Sequence, residues 1–201
     1  GNEIRTFMPR YGSINERRNQ LHEVIRLSGM NLIIDNNDHQ LIIKVASIPS
    51  ARVQIYFIDN EDYFHRKATV RDAEGRLFAD NDERIIFFAR GVLETVKKLR
   101  WSPDLVHCVG WFSAIVPVYL RNAFADDPVF KNVKIVLSVY DDGFEGELDR
   151  HFKTKMQGEG VGKKYLSMLD EPTYENLMKF VIHYADGVIF ETLEFSADVL
   201  A

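Results

Sequence analysis

The chain holds a single cysteine, Cys108, in 201 residues, and that scarcity excludes an internal disulfide framework and fits a reducing compartment. No apolar run reaches the roughly 18 to 20 residues that a membrane-spanning helix needs, and no signal peptide opens the sequence. The histidines His22, His39, His65, His107, His151 and His183 are scattered with no spacing suited to one metal ion, so neither metal nor cofactor is expected. Neither a G-x-S-x-G elbow nor a P-loop is present. Gly158-Glu159-Gly160-Val161-Gly162-Lys163-Lys164 lacks the preceding strand and the following Ser or Thr of a phosphate cradle, and reads as a flexible solvated loop. Basic charge is short as well: 25 Lys and Arg against 30 Asp and Glu give a net charge of -5, which speaks against a nucleic-acid or anionic-membrane partner. These absences predict a soluble, cytoplasmic protein. A neutral or phosphorylated small ligand would need only a local cluster of Arg and Lys.

What is present is a chain that is 46% hydrophobic, enough to bury one sizeable core, so residues 1–201 are expected to form a single domain. The sequence starts at Gly1 rather than Met, and the expectation is a polypeptide truncated at its N-terminus. Ile4 to Met8 reads as a strand stopped by Pro9 and Gly12. Glu23 to Ile34, Gln40 to Ser47 and Val53 to Ile58 read as further strands, with hairpin turns at Asp35–Asp38 and Ile48–Ala51. Residues 61–81 read as loop. From Asp82, apolar residues at Ile85, Ile86, Phe88, Ala89, Val92, Leu93, Val96 and Leu99 recur at helical spacing, with acids in the first turn and bases in the last.

A strand at Leu105–Cys108, a helix at Phe112–Ala125 and a strand at Lys134–Val139 then alternate as in a parallel, Rossmann-like half. The glycine-dotted stretch between Asp141 and Glu171 reads as mobile or weakly helical. A helix near Thr173–Tyr184, a strand at Gly187–Phe190 and a helix starting at Leu193 close the chain. The fold class is therefore α/β, a Rossmann-like domain with a mostly parallel sheet plus a β-hairpin region.

The corner from Trp101 to Leu120 carries the most specific spelling. Pro103, Asp104, His107, Trp111, Ala114, Pro117, Tyr119 and Leu120 resemble the P-D-x-x-H-x-H-D-W-H-x-A-x-x-P-x-Y-L segment of starch and glycogen synthases, the ADP-glucose-dependent enzymes of glycosyltransferase family 5. That family's second histidine, its aspartate and its third histidine are here Val109, Gly110 and Phe112. Pro9-Arg10-Tyr11-Gly12 resembles the family's P-x-Y-G turn, and Asn60 with Phe64 and Arg66 its N-x-x-x-F-x-R loop. Asp80-Asn81-Asp82-Glu83-Arg84 is similar to its D-N-x-x-R-F helix entry, and Tyr184-Ala185-Asp186-Gly187-Val188 to its Y-A-D-x-V strand. The order and spacing are shared over nearly the whole chain.

The resemblance implies the N-terminal half of a GT-B fold, with the glucan acceptor on this half and ADP-glucose bound only with a second domain. The family's K-x-G-G-L-G phosphate loop is not present. An α-glucan or maltooligosaccharide is the implied partner. Asp80 matches an acceptor-side aspartate beside Asn81 and Arg84; the other reading is that Asp80 or Asn81 merely caps the helix. Trp111 beside a glycine turn offers a sugar-stacking face, or belongs to the core. Tyr140 and Asp141 stand where the family has histidine and asparagine, with Phe144 and Glu145 replacing tyrosine and glutamine. No residue is assigned as catalytic. His107 reads as a packed, hydrogen-bonded core histidine and Cys108 as a small buried hydrophobe. Losing one preorganised donor at a reacting centre costs about 10²- to 10³-fold in rate. A glucosyltransferase domain and a catalytically inactive glycan-binding or regulatory domain on the same fold therefore both remain open.

Overall fold

Asp35 and Asn36 take positive φ values of 47° and 65°, the pair of left-handed residues a two-residue hairpin needs, and Asp and Asn tolerate that region better than branched residues. They join β3 (Met30–Ile34) to β4 (Asn37–Ile48), paired from Ile34↔Asn37 to Met30↔Leu41. In this computed structural model, which describes residues 2–51 and 53–190, β4 turns again at residues 49–51 and pairs antiparallel with β5 (Val53–Asp59). β5 pairs parallel with β1 (Arg5–Pro9), and the two-residue β2 (His22–Glu23) closes the other edge in the order β1-β5-β4-β2, with β3 also on β4. A second sheet is all parallel: β6 (Leu105–Val109), β7 (Lys134–Val139) and β8 (Gly187–Phe190). The α/β class thus holds, with antiparallel pairing confined to the hairpin region.

α2 (Asn81–Leu99) lies between the layers. Its 3.6-residue apolar pattern wraps beyond one stripe, so Ile85, Ile86, Phe87, Ala89, Leu93 and Val96 are all buried. It packs on β1, β3 and β5 and on α3 (Val116–Arg121) and α4 (Phe152–Gly158). Gly91 permits the close approach to the sheet, since a Cβ there would sit 2.9 Å from Ile58 Cγ2 and 3.1 Å from Leu41 Cδ1. The helix ends where Arg100 adopts a left-handed conformation and donates to the Lys97 carbonyl.

Three expectations need correction. The strand expected over Glu23–Ile34 breaks into β2 and β3, because Gly29 at φ 86° turns the chain and Ser28 Oγ bonds the Val24 carbonyl. The helix expected over Phe112–Ala125 is a 3₁₀ turn at Trp111–Ser113 followed by the shorter α3. Pro117 has no N–H to give to an i−4 carbonyl and is tolerated only in a first turn. Residues 61–81 are not all loop: Asn60 Oδ1 accepts from the N–H groups of Asp62 and Tyr63 and starts α1 (Glu61–Phe64).

The glycine-dotted stretch is anchored rather than loose. α4 and the 3₁₀ turn Leu166–Leu169 bury Phe152, Met156, Leu166 and Leu169, and the supposedly solvated loop is tied by an Arg90–Glu159 pair at 2.6 Å and by Gly162 N–H to Asn122 Oδ1 at 3.0 Å. α5 (Tyr174–Ile182) is capped by Thr173 and leads into β8. The helix expected from Leu193 lies outside the described residues.

The tie between α4 and α2 is ionic. Lys155 Nζ lies 2.7 Å from Asp82 Oδ2 and 2.7 Å from Glu83 Oε1, with the lysine side chain 8% exposed and Asp82 fully buried. Burial raises the Asp82 pKa, and the lysine opposes that shift. Removing one partner of a buried pair typically costs about 3–5 kcal/mol. Lys155→Met is therefore expected to lower unfolding stability by an amount of that order in urea denaturation, while Lys155→Arg keeps most of it. A loss for Lys155→Met below about 1 kcal/mol, within the range of a surface pair, would overturn this reading.

Candidate functional site

β1, β5, β6 and β7 end at Pro9, Asp59, Val109 and Val139, and the residues just beyond these carboxyl ends meet one another. Tyr11 stands edge-on to Phe64 at 6.2 Å and to Phe112 at 6.2 Å. Phe112 reaches Trp111 at 5.5 Å, Trp111 reaches Phe144 at 4.9 Å, and Phe144 reaches Tyr174 at 5.7 Å. Carboxyl ends of parallel strands are where open α/β sheets bind ligands. A continuous floor of aromatic rings thus joins the Pro9–Gly12 turn, the Asn60–Arg66 loop and the Trp101–Leu120 corner to the loop after β7.

Arg84 anchors that floor from below. It is fully buried; Nε donates to the Tyr63 carbonyl at 2.8 Å and Nη1 to Asn81 Oδ1 at 2.6 Å. Its guanidinium carbon lies 5.3 to 6.0 Å from the ring centres of Phe78, Phe64, Phe112 and Tyr11, a cation–π enclosure. Burial pulls its pKa down to about 10, so it stays charged at neutral pH. Asn81 is equally buried and gives its Nδ2 to the Val70 carbonyl at 2.9 Å. Neither residue reaches the surface in this conformation.

Asp80 occupies the N-cap position of α2, yet its side chain makes no cap hydrogen bond. The capping role open to Asp80 or Asn81 is filled by neither. Both Asp80 carboxylate oxygens are held by Arg66, at 2.6 Å from Nη1 and 2.5 Å from Nη2, a fork-to-fork pair with fixed geometry. The pair remains partly exposed, at 35% for Arg66 and 26% for Asp80. It is thus the polar feature of this cluster that a solvent-borne ligand can reach.

Across the aromatic floor, Asp142 Oδ2 accepts from the Trp111 N–H at 3.2 Å. Burial raises its pKa above the usual carboxylate value, against the opposing Trp111 hydrogen bond. A Cβ at Gly110 would lie 2.4 Å from that same oxygen, and Gly110 has φ 71°. Glycine is therefore favoured by the backbone, and any Cβ there would have to displace the Asp142 carboxylate. Tyr174 donates its hydroxyl to the Tyr140 carbonyl at 3.1 Å, and burial first, then the Asp142 charge, pushes its pKa up to about 12. Asp141 is exposed beside them.

Trp111 is only 4% exposed; its ring belongs to the core, and the stacking face suggested by its position beside a glycine turn is covered. His107 is hydrogen-bonded to Ser138 Oγ at 2.7 Å as expected, but it stands exposed on the sheet face instead of packed. Cys108 is buried as expected, and burial drives its thiol pKa up to about 12. Among the described residues no cluster of His, Cys, Asp and Glu could hold a metal ion, and no helix is long and apolar enough to cross a membrane. Sequence reasoning missed Arg66, Asp142 and Tyr174 as site residues. The N-x-x-x-F-x-R spacing contained Arg66, but nothing in the sequence tells that it grips Asp80.

The architecture is that of a glycosyltransferase catalytic half. Its backbone matches the starch synthase IV catalytic domain of Arabidopsis thaliana, solved bound to ADP and acarbose, with a TM-score of 0.58 at 17% identity over 91% of this chain and 43% of that one. The chain belongs to the starch synthase catalytic domain family, whose model matches residues 1–190. It is 36% identical over 190 residues to a glycogen synthase of Chlorobaculum parvum, covering 94% of this chain and 38% of that protein. It is 41% identical over 141 residues to a glycogen synthase of Chlorobium phaeobacteroides, covering 70% of this chain and 29% of that protein. The chain thus spans about a third of the length of these relatives.

The Gly110–Asp142 contact makes two predictions. Gly110→Ala is expected to cost more than about 1 kcal/mol in chemical denaturation, with part of the loss recovered in Gly110→Ala/Asp142→Ala; an additive double variant would show that the two positions are not in contact. Because the folded-state pKa of Asp142 is raised, its contribution to stability is present below the ordinary carboxylate value and lost as pH rises through the folded value. Asp142→Asn should therefore raise Tm relative to the parent at pH 7, the difference shrinking towards pH 3; a difference that instead grows on acidification contradicts this sign.

Proposed function

We propose that this chain is the acceptor-side half of an ADP-glucose-dependent glucosyltransferase that extends α-1,4-glucans with retention, with the donor sugar held by polypeptide outside residues 1–201. The carrying observation is the partly exposed Asp80–Arg66 pair at the start of α2 together with Asp141 and Asp142 just past the carboxyl end of β7, on either side of one aromatic floor. Carboxylates held rigidly at such a place accept hydrogen bonds from sugar hydroxyls, and the Arg66 fork keeps Asp80 oriented. Asp80 and Asp141 are the residues assigned to glucan contact. Asn81, Arg84 and Trp111 position them from beneath, and the Tyr140 backbone is fixed by Tyr174. The binding of ADP and acarbose by the Arabidopsis thaliana domain of the same fold supports this reading. ADP-glucose is assigned to the assembled protein and not to this half alone.

A second reading, a glycan-binding or regulatory domain without transfer activity, is favoured by Val109, Gly110 and Tyr140, which stand where the family pattern carries histidine, aspartate and histidine. The full-length protein given labelled ADP-glucose and glycogen separates the two. Label entering the glycogen supports transfer; maltooligosaccharide binding with no incorporation supports the binding domain.

For either reading, Asp80→Ala should weaken maltoheptaose binding by about tenfold or more in calorimetric titration, equivalent to about 1.4 kcal/mol. An unchanged affinity in a folded variant removes Asp80 from the glucan contact.

A further inference from the structure

The amino ends of β7 and β8 open on a cavity of about 680 Å³, at the opposite end of the parallel sheet from the aromatic floor. Four segments meet there: the end of α3 at Arg121, the entry to β7 at Lys131 and Lys134, the residues Lys164 and Tyr165 before a 3₁₀ turn, and the end of α5 from His183 to Asp186. Four Lys and Arg side chains thus line the cavity against one carboxylate, in a chain whose net charge is -5.

Asp186 does not neutralise them. Its Oδ2 accepts from the Ile135 N–H at 2.8 Å and from Arg121 Nη2 at 2.7 Å, so the carboxylate is fixed to β7 and orients the guanidinium. Arg121 Nη2 also reaches the Val133 carbonyl at 3.3 Å, while Nε and Nη1 have no hydrogen-bond partner among the described residues. Lys134 Nζ stands 4.0 Å from Asp186 with its side chain 71% exposed. Lys131 is exposed and forms no ion pair among the described residues, and Lys164 lies over the Tyr165 ring at 4.7 Å. A cation at Arg121 suits the last turn of α3, but Lys131, Lys134 and Lys164 lie outside any helix. The wall beside them is firm. Tyr165 stacks on His183 at 4.0 Å with 6° between the ring planes, and the Tyr184 hydroxyl donates to the Lys164 carbonyl at 3.1 Å. These contacts hold Tyr165 at φ 65°, a conformation that a residue other than glycine keeps only where its surroundings fix it.

Like charges gathered from four segments repel one another, and a concave site of one sign concentrates the opposite ion. A carboxylate ligand would bring a single charge. A phosphate monoester brings a charge of about −2 and three strong acceptor oxygens, which suit a guanidinium with two free nitrogens flanked by ammonium groups. We propose that the cavity binds a small phosphate monoester, its phosphate held between Arg121, Lys131 and Lys134 and its organic part lying against Tyr165 and His183. The inference is independent of the glucan reading, since neither the aromatic floor nor the Asp80–Arg66 pair lines this cavity.

Calorimetric titration of the full-length protein with ribose 5-phosphate tests it. Saturable binding is expected with a dissociation constant of about 1 mM or tighter, weakening as potassium chloride is raised. Lys131→Glu/Lys134→Glu, at two exposed positions, should abolish it, and the milder Lys131→Gln/Lys164→Gln should weaken it by about tenfold. Arg17→Glu/Arg18→Glu makes the same change in net charge on exposed residues outside the cavity and should leave the affinity unchanged. AMP, which adds a planar base to the same phosphate and ribose, is then titrated as a competitor. Displacement several-fold tighter than by ribose 5-phosphate itself assigns the Tyr165 and His183 wall to a base, and equal displacement assigns it to the sugar; either outcome supports the site. No saturable binding below about 10 mM, equal loss in the Arg17→Glu/Arg18→Glu control, full affinity in Lys131→Glu/Lys134→Glu, or displacement by maltoheptaose overturns the proposal.

Discussion

Burial of the α2 N-terminus around a single guanidinium is the constraint on which the rest depends. Arg84 sits where water cannot reach it, and a charge in that position is tolerable only with fixed partners. The Tyr63 carbonyl, the Asn81 amide and four aromatic faces supply them. Those partners come from α1, from the connection before α2, from α2 itself and from the turns after β1 and β6. The charge therefore locks together segments that are distant in sequence, and the polar groups around it inherit their rigidity.

That arrangement separates support from contact. The residues most deeply committed to the cluster, Asn81, Arg84 and Trp111, are the most deeply buried. The residues left accessible, Asp80, Arg66 and Asp141, are held from behind by hydrogen bonds or by the chain path around Tyr174. Positioning by a buried layer is how polar groups on loops gain accurate placement.

Much of the fold was legible because it follows from periodicity. The α2 pattern, the apolar β6 and β7 and the Asp35-Asn36 turn each state their structure locally. What failed did so where local and tertiary signals disagree. Between Asp141 and Glu171 the glycines and charges dominate the composition, yet Phe152, Met156 and Leu169, spread thinly among them, are enough to seat α4 and the turn after it. The site was legible in its motifs and not in its pairings. Asp80 looks like a cap by spacing, whereas its partner Arg66 lies 14 residues earlier in the same connection between α1 and α2. Asp142 gave no signal, since its role depends on the absence of a side chain at Gly110.

Gly110 and Asp142 form a single steric unit. The carboxylate of one fills the volume that any side chain on the other would need, so drift at either position is conditional on the other. A lineage that restores a side chain at position 110 must first or simultaneously shorten or redirect the one at position 142. The two residues would then vary as a correlated pair across an alignment, although 32 positions apart in the chain they share no motif.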